Sequence, residues 1–303
     1  MAVIGELNVD AIATGLRQPP RLGAEILASD FRLTLGSASA IFACGMAKLG
    51  HAVTFFSQVG TDDFGKFCLR ALKEAGISTR NVRRDDTIKT GVSVSLSTSR
   101  DRALVTYPGA ISSMKYEQIR VSALKGLGHL HMTSFFLQAD LRPSFGRIFG
   151  EAKRAGLTTS FDPNSDPSSE WGEDICGVLS HTDVLFLNET EARRLTRART
   201  TQSALKLLGG RVPCAVIKLG PEGAVAIKGG EAVSAPGFRV EPVDTTGAGD
   251  SFAAGFMSAY LRGLPVAECL RHGNACGALS TLQAGGTPGQ PDAKALEKFL
   301  AAH

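Results

Sequence analysis

The chain has 303 residues, 43% hydrophobic and 20% charged, with 16 Phe, 34 Gly and a formal net charge of +4. This is an ordinary soluble composition with ample material for a large core, and so modest a charge argues against a nucleic-acid or membrane-surface role. No Pro/Ser-rich linker, low-complexity stretch or internal repeat divides the chain, so a single domain over 1–303 is expected.

Short apolar runs alternate with longer helical patterns, which predicts a mostly parallel sheet covered by helices. The first run, Ala2 to Gly5, opens the chain as a strand, without the basic start and long apolar stretch of a signal peptide. Further core strands are expected at Val53 to Val59, His129 to Met132, Leu157 to Asp162, Val184 to Leu187 and Ala215 to Leu219. Helices are expected at Ala40 to Leu49, Phe64 to Ala75, Leu141 to Ala155, Glu189 to Leu195, Ser251 to Arg262 and Val266 to Leu282. Two segments, 12–35 and 90–106, break the rhythm. In the second, Val92, Val94 and Leu96 alternate with Ser93, Ser95 and Ser97, the pattern of a half-exposed antiparallel sheet.

Arg80, Arg83 and Arg84, and then Arg193, Arg194, Arg197 and Arg199, are the densest basic patches. Neither has interleaved aromatics, and both read as solvated faces. Six cysteines form no C-x-x-C pair and have no His at metal-ligand spacing, so free thiols in a reducing, cytoplasmic compartment are expected. No stretch approaches the ~18 apolar residues of a membrane span.

The most informative run is 244–257, Asp-Thr-Thr-Gly-Ala-Gly-Asp followed by an apolar, small-residue helix. A helix start leaves backbone N–H groups unpartnered and carries partial positive charge, and Gly247, Ala248 and Gly249 let an anion approach closely. Asp250 would repel an anion that was merely held. Beside a phosphoryl group in transfer, the same carboxylate is placed to take a proton from the attacking hydroxyl. The plainer reading is an acid complementing a helix N-terminus after a glycine turn.

The whole run resembles a signature of the PfkB, or ribokinase-like, carbohydrate kinases. Other segments resemble family motifs in the same order: Gly5 to Asp10, Val59 to Gly65 (VGxDxFG), Asp162-Pro163-Asn164, Asn188 to Glu191 (NxxE) and Lys218 to Gly223. The resemblance covers essentially the whole chain. It implies a three-layer α/β/α sandwich with a mostly parallel sheet, plus a small β-sheet lid built from the insertions at about 12–35 and 90–106.

The resemblance also implies the site. Asp250 would be the base, with the backbone of Gly247, Ala248 and Gly249 as anion hole. Asn8, Asp10, Gly36 and Ser37 would bind the sugar. Asn188, Lys218, Gly220, Gly223 and Asn274 would bind ATP. Glu191 would act on Mg²⁺ through water, with Asp162 and Asn164 supporting the same region. Asp244 and Thr246, with backbone around Ser280, Gln283, Gly285 and Gly289, match a K⁺ loop of some members. A homodimer packed through the lids is implied as well. The residues alone also permit an Asx-turn at Asn8 and Asp10, a helix cap at Asn188, and a plain edge sheet in place of a lid.

Three positions depart from the family pattern. Ser37 stands for the second Gly of a Gly-Gly pair, Ile41 for a sugar-contacting Asn, and Asp166 for an Arg following Asp-Pro-Asn. These concern acceptor recognition, so no particular sugar is assigned. Phe135 and Phe136 are candidates to line the acceptor pocket, with core packing favoured. A nucleoside kinase of the same fold and a non-catalytic sugar- or nucleotide-binding regulator are the competing expectations.

Overall fold

The computed structural model describes residues 1–98, 102–168, 170–172 and 174–303. Residues 99–101 of the expected 90–106 insertion lie outside the described residues. In chain order the strands are β1 (Ala2–Ile4), β2 (Asn8–Leu16), β3 (Asp30–Leu35), β4 (Thr54–Gly60), β5 (Ser78–Asp85), β6 (Gly91–Thr98), β7 (Arg102–Tyr107), β8 (His129–Thr133), β9 (Thr158–Asp162), β10 (Val184–Asn188), β11 (Cys214–Lys218), β12 (Ala224–Lys228) and β13 (Glu231–Ala235). The helices are α1 (Ala38–Lys48), α2 (Asp63–Glu74), α3 (Ala110–Ser113), α4 (Phe145–Arg154), α5 (Ile175–Leu179), α6 (Glu189–Thr196), α7 (Thr201–Gly209), α8 (Ala248–Leu261), α9 (Val266–Ser280) and α10 (Ala293–Ala302).

Nine strands form one sheet in the order β13-β12-β11-β10-β9-β8-β1-β4-β5. Its pairs are parallel from β5 through β11, while β12 and β13 add as an antiparallel hairpin that leaves β13 at the edge. The central strands read as unbroken apolar runs because both faces are covered. Ala2, Ile4, Leu185, Leu187, Ala215 and Ile217 pack with α4 to α7 on one side. Val3, Val184, Phe186, Cys214 and Val216 pack with α1, α2, α8 and α9 on the other. The edge strand β5 carries Arg80, Arg83 and Arg84, charges that blunt edge pairing.

Helix α8 is buried along most of its length between α1 and α9, which explains its small-residue sequence. A Cβ on Gly255 would lie 2.6 Å from the His272 carbonyl oxygen, and one on Gly45 2.8 Å from the Ala254 methyl. Such close approach fixes the line of α8 and thereby the place of its N-terminus.

The remaining strands form a second sheet, β3-β2-β6-β7. Its β2–β3 and β6–β7 pairs are antiparallel, but β2 and β6 run parallel, so the expected antiparallel sheet is corrected to a mixed one. Each of β2 and β6 enters from the large sheet, after β1 and after β5, and therefore leaves it in the same direction. The serines face inward: Ser95 is buried, whereas Phe31, Leu33, Val105 and Tyr107 are exposed. Asp62 ties this sheet to α2. Its carboxylate accepts from Gly65 N (2.8 Å), Thr90 N (2.8 Å) and Thr90 Oγ1 (2.7 Å). Burial would raise the Asp62 carboxyl, but these donors outweigh it and hold it below its ordinary range.

The six expected core strands and six expected helices are present with ends shifted by a few residues. Helices α7 and α10 and strands β5, β12 and β13 were not anticipated. α8 begins at Ala248 rather than Ser251, which brings Asp250 into its first turn. Among the described residues no helix is long and apolar enough to cross a membrane.

Candidate active site

The start of α8 sits between two cavities at the carboxyl edge of the large sheet. Gly247 and Asp250 line one, of about 200 Å³; Ala248 and Gly249 line the other, of about 580 Å³. Gly247 has φ 71°, and no side chain caps the helix. A Cβ there would approach the Gly286 Cα to 2.9 Å and Ile41 to 3.0 Å, so both conformation and space require glycine. The Ala248 N–H is already engaged by the Thr245 carbonyl at 3.2 Å. First-turn N–H groups such as those of Gly249 and Asp250 lie ahead of the i→i−4 ladder and are free for an anion.

Behind this helix start lies a buried charge cluster drawn from four elements. Lys218, at the end of β11, donates to Asp162 Oδ2 at 2.6 Å, at the end of β9. A Cβ on Gly249 would lie 3.2 Å from the Lys218 ammonium, which sets that cation beside the first turn of α8. Burial would lower the Lys218 ammonium, but Asp162, Glu191 and Asp250 raise it above its ordinary value. Asp250 is half-buried, and burial, with Asp162 and further contributions from Glu6 and Glu191, pushes its carboxyl up to about 8 against the pull of Lys218. Glu191 is likewise raised, by burial and Asp162, with Lys218 opposing.

Asn188 and Glu191 form a reciprocal cap on α6: Asn188 Oδ1 accepts from Glu191 N and Glu191 Oε2 from Asn188 N, each at 2.8 Å. The helix-cap alternative for Asn188 therefore describes this geometry. The other Glu191 oxygen accepts from Ser165 Oγ at 2.9 Å. Among the described residues no three His, Cys, Asp or Glu side chains are grouped to cage a metal. A donor set of neighbouring carboxylates fits a divalent cation that keeps its waters, as Mg²⁺ does.

The smaller cavity lies under the second sheet. Asn8 and Asp10 stand at the start of β2, two residues apart, and both line it on one face. Asn8 Nδ2 donates to Asp10 Oδ1 at 3.1 Å. A Cβ on Gly36 would fall 2.2 Å from that oxygen, so Gly36 is the gap into which the Asn8–Asp10 pair fits. Ser37 has φ 77°, in the left-handed region that favours glycine. Its hydroxyl donates to the Glu6 carbonyl at 2.6 Å and accepts from Ala40 N at 3.0 Å, capping α1 and offsetting backbone strain. Ile41 lines the cavity and packs on Gly247 and Gly286.

Sequence reasoning missed Glu6 and Ser134. The buried Glu6 carboxylate accepts from Ser39 N and Oγ, Thr133 Oγ1 and Ser134 Oγ at 2.7–3.2 Å. Asn164 holds Ser134 from the other side, accepting from its N–H at 2.9 Å. An acid immediately after an apolar strand was the available signal for Glu6; nothing local marks Ser134. Phe135 and Phe136 line neither cavity. They pack edge to face at 5.1 Å, with Phe145 and Trp171, under the Arg142 guanidinium. Asp166, in place of the family Arg, accepts from Ser168 N and Trp171 N and shapes its own loop.

The larger cavity is walled by Lys218, Gly220, Pro221, Gly223, Phe238, Val240, Phe252, Asn274 and Ala278. Gly223, at φ 104°, lies where a Cβ would meet the Ala235 carbonyl oxygen at 2.2 Å. Asn274 also lines this cavity, but its amide donates to the Ala235 and Pro236 carbonyls, both at 3.0 Å. Its donors therefore brace the cavity wall. Asp244 accepts from Thr246 N and Oγ1 and from Gly285 N, joining the two loops of the expected K⁺ region.

A mostly parallel sheet whose carboxyl edge carries an uncapped helix start, a buried lysine and an acid between two cavities defines an α/β phosphotransferase. The chain belongs to the pfkB family of carbohydrate kinases, whose model matches residues 1–293. It is 33% identical to the 2-dehydro-3-deoxygluconokinase of Bacillus subtilis, over 90% of this chain and 89% of that one. Its fold is similar to a protein from E. coli assigned as ribokinase II and solved with ATP and Mg²⁺ (25% identity, TM-score 0.88, covering 100% and 99% of the chains). It is similar too to Arabidopsis thaliana ribokinase solved with ribose and ATP (26% identity, TM-score 0.84, covering 99% and 97%). The fold is ribokinase-like.

Proposed function

We propose that the protein transfers the γ-phosphoryl group of ATP to a hydroxyl of a sugar or sugar derivative. The observation that carries this reading is the single helix start shared by two cavities, with Asp250 on the smaller side and Ala248 and Gly249 on the larger. ATP would occupy the larger cavity with its phosphates toward Lys218 and the first turn of α8. The sugar would sit in the smaller, its hydroxyls bonded to Asn8 and Asp10 and its reacting hydroxyl against Asp250. Asp250 takes the hydroxyl proton as the oxygen bonds phosphorus, and ADP departs with the electrons of the broken P–O bond. The free N–H groups of Gly247, Gly249 and Asp250 itself stabilise the charge on the transferring oxygens.

Relatives solved with ATP, with Mg²⁺ and with ribose support these ligands for this chain. Mg²⁺, when bound, would neutralise phosphate charge, and Glu191 with Asp162 would orient its waters. The carboxylate bridge from Asp244 to Thr246 and Gly285 supports a K⁺ loop, to be read as activity in K⁺ against a bulky organic cation. The exposed Phe31, Leu33, Val105 and Tyr107 support a homodimer formed through the second sheet, which acts as the lid on a single kinase unit spanning 1–303. The unpaired thiols support a cytoplasmic location.

The nucleoside reading is disfavoured because no described residue lining the smaller cavity is aromatic. A regulator would need neither a base nor a buried lysine beside the anion turn. An ADP-release assay with Mg-ATP and a panel of sugars and nucleosides tests the proposal. Release with a sugar that collapses in Asp250→Asn is expected; no release with any sugar would sink it.

A further inference from the structure

One wall of the smaller cavity is built at the carboxyl edge of the large sheet, and strand register assembles it. Ile4 of β1 pairs with Met132 of β8, so Glu6 and Ser134, each two residues further along, come level just beyond the paired residues. Both are buried and both line the cavity. Ser134 has φ 52°, a left-handed conformation that strains a residue bearing a Cβ. Its surroundings hold it there. The N–H donates to Asn164 Oδ1 at 2.9 Å, the carbonyl accepts from Leu137 N at 3.1 Å, and the hydroxyl has Glu6 Oε1 at 2.9 Å and Asn164 Oδ1 at 3.1 Å as acceptors. Glu6 is itself fixed: Oε1 accepts also from Ser39 N at 3.2 Å, and Oε2 accepts from Ser39 Oγ at 2.7 Å and Thr133 Oγ1 at 3.2 Å. Strained residues persist only where the structure over-determines them, and they cluster where ligands are gripped.

Resting on the kinase reading above, we infer that Ser134 is an acceptor-binding residue whose Oγ accepts from one hydroxyl of the sugar, and that Glu6 is the positioning residue that aims it. A carboxylate oxygen and an amide oxygen only accept, so the single Ser134 hydroxyl hydrogen is spent on the protein whichever of them takes it. With its N–H and carbonyl engaged as well, the lone pairs of Oγ are what Ser134 presents to the cavity. Ser37, the other left-handed serine of this lining, differs: its hydroxyl donates to the Glu6 carbonyl and accepts from Ala40 N, closing on the protein. An Oγ confined to accepting selects a group that donates, and an ether oxygen or a C–H at that place leaves it unpaired. Asn8 and Asp10 approach the sugar from the second sheet and Asp250 from α8. Ser134 adds a contact from the large sheet, and three directions fix a ring that two would let pivot.

The test screens aldoses, ketoses and sugar acids, including ribose, fructose and 2-dehydro-3-deoxygluconate, against the full-length protein by ligand-induced melting shift and ADP release. The best of them is then followed through its monodeoxy derivatives. Ser134→Gly suits φ 52° and deletes only the hydroxymethyl group. It should weaken binding of the parent sugar about 10-fold with KM for ATP unchanged. One monodeoxy derivative should bind the unmodified protein about 10-fold more weakly than the parent, yet bind Ser134→Gly as well as the parent does, because the two deletions remove one hydrogen bond. Glu6→Gln, whose amide can turn a donor toward Ser134, should show its loss at that same sugar hydroxyl, whereas a merely structural role would weaken every derivative alike. Should Ser134→Gly fail to fold, the Glu6→Gln series gives the same reading. Transfer with losses that multiply at every position overturns the inference and leaves the kinase reading intact. Position-specific coupling in the melting shifts without ADP release from any sugar refutes the kinase reading and leaves the role of Ser134 standing. Neither shift nor release with any sugar refutes both.

Discussion

Replacing Asp250 by Asn separates what the residue does for folding from what it does for chemistry. The ordinary aspartate value is 3.8, and in the folded protein this carboxyl is pushed up to about 8. Between those values the native state holds a proton that the unfolded chain has released, so stability falls as pH rises through the window. Complete desolvation would make the full shift worth several kcal/mol, but Asp250 is only half-buried and faces a cavity, so about 2–3 kcal/mol at pH 8 is the reasonable discount. With ~2.1 cal/mol/K of unfolding entropy per residue, that corresponds to a rise in Tm of about 3–5 °C for Asp250→Asn. The gain should vanish near pH 4, where the wild-type carboxyl is protonated in the native state. Thermal unfolding of both proteins from pH 4 to 9 reads this difference directly. An ADP-release assay should show kcat reduced about 10²–10⁴-fold by loss of the base. A Tm gain with no pH dependence would refute the electrostatic account of this site; undiminished kcat would refute the role as base.

Two further outcomes are expected from other parts of the molecule. His129 is pushed down to about 3, and buried His131, stacked 3.6 Å from Phe42 with Nε2 unpartnered, lies well below its ordinary 6.5. The unfolded chain protonates both below 6.5 while burial holds the folded imidazoles neutral, so both withdraw stability as pH falls below 6.5, by about 2 kcal/mol at pH 5 for His129. His131→Leu should lower the slope of stability against pH between 6.5 and 4 by about one proton, and an unchanged slope would show that His131 does not titrate as its burial requires. Gly36→Ala sets a methyl 2.2 Å from Asp10 Oδ1 and 2.7 Å from Asn8 Nδ2. The acceptor KM should rise about 10-fold or more through loss of hydrogen bonds worth ~1–3 kcal/mol, with the KM for ATP unchanged, and an equal rise in both would point to general misfolding instead.

How much was legible from residue order depends on the range of the interaction that sets each feature. The core strands were readable because a strand covered on both faces is a continuous apolar run, as Val184 to Leu187 shows. The start of α8 was misplaced by three residues because its glycines carry no propensity signal, and close packing of Gly255 against α9 decides the helix line. Strand β13, at the sheet edge and mostly exposed, carries no continuous apolar run to read, whereas the five-residue β12, as short as β10, has one in Ala224 to Ile227 that was not anticipated. The second sheet was visible as alternation, but not its mixed pairing, which follows from where β2 and β6 leave the large sheet.

The site divides along the same line. Gly247 to Asp250, Asp162 to Asn164, Asn188 to Glu191 and Lys218 to Gly223 are contiguous motifs whose chemistry is local, and the order of residues alone was enough to point to phosphoryl transfer and to this family. Glu6 and Ser134 could not be found that way. They meet across 128 positions of sequence, and only the packing of β8 beside β1 brings the Ser134 hydroxyl to the Glu6 carboxylate at 2.9 Å. The upward shift of Asp250 is likewise tertiary, since desolvation and the fields of Asp162, Glu6 and Glu191 exist only once four separate strand and helix ends converge. Motif identity is written within a few consecutive residues; the charge of a cavity is a sum over segments that only the fold assembles.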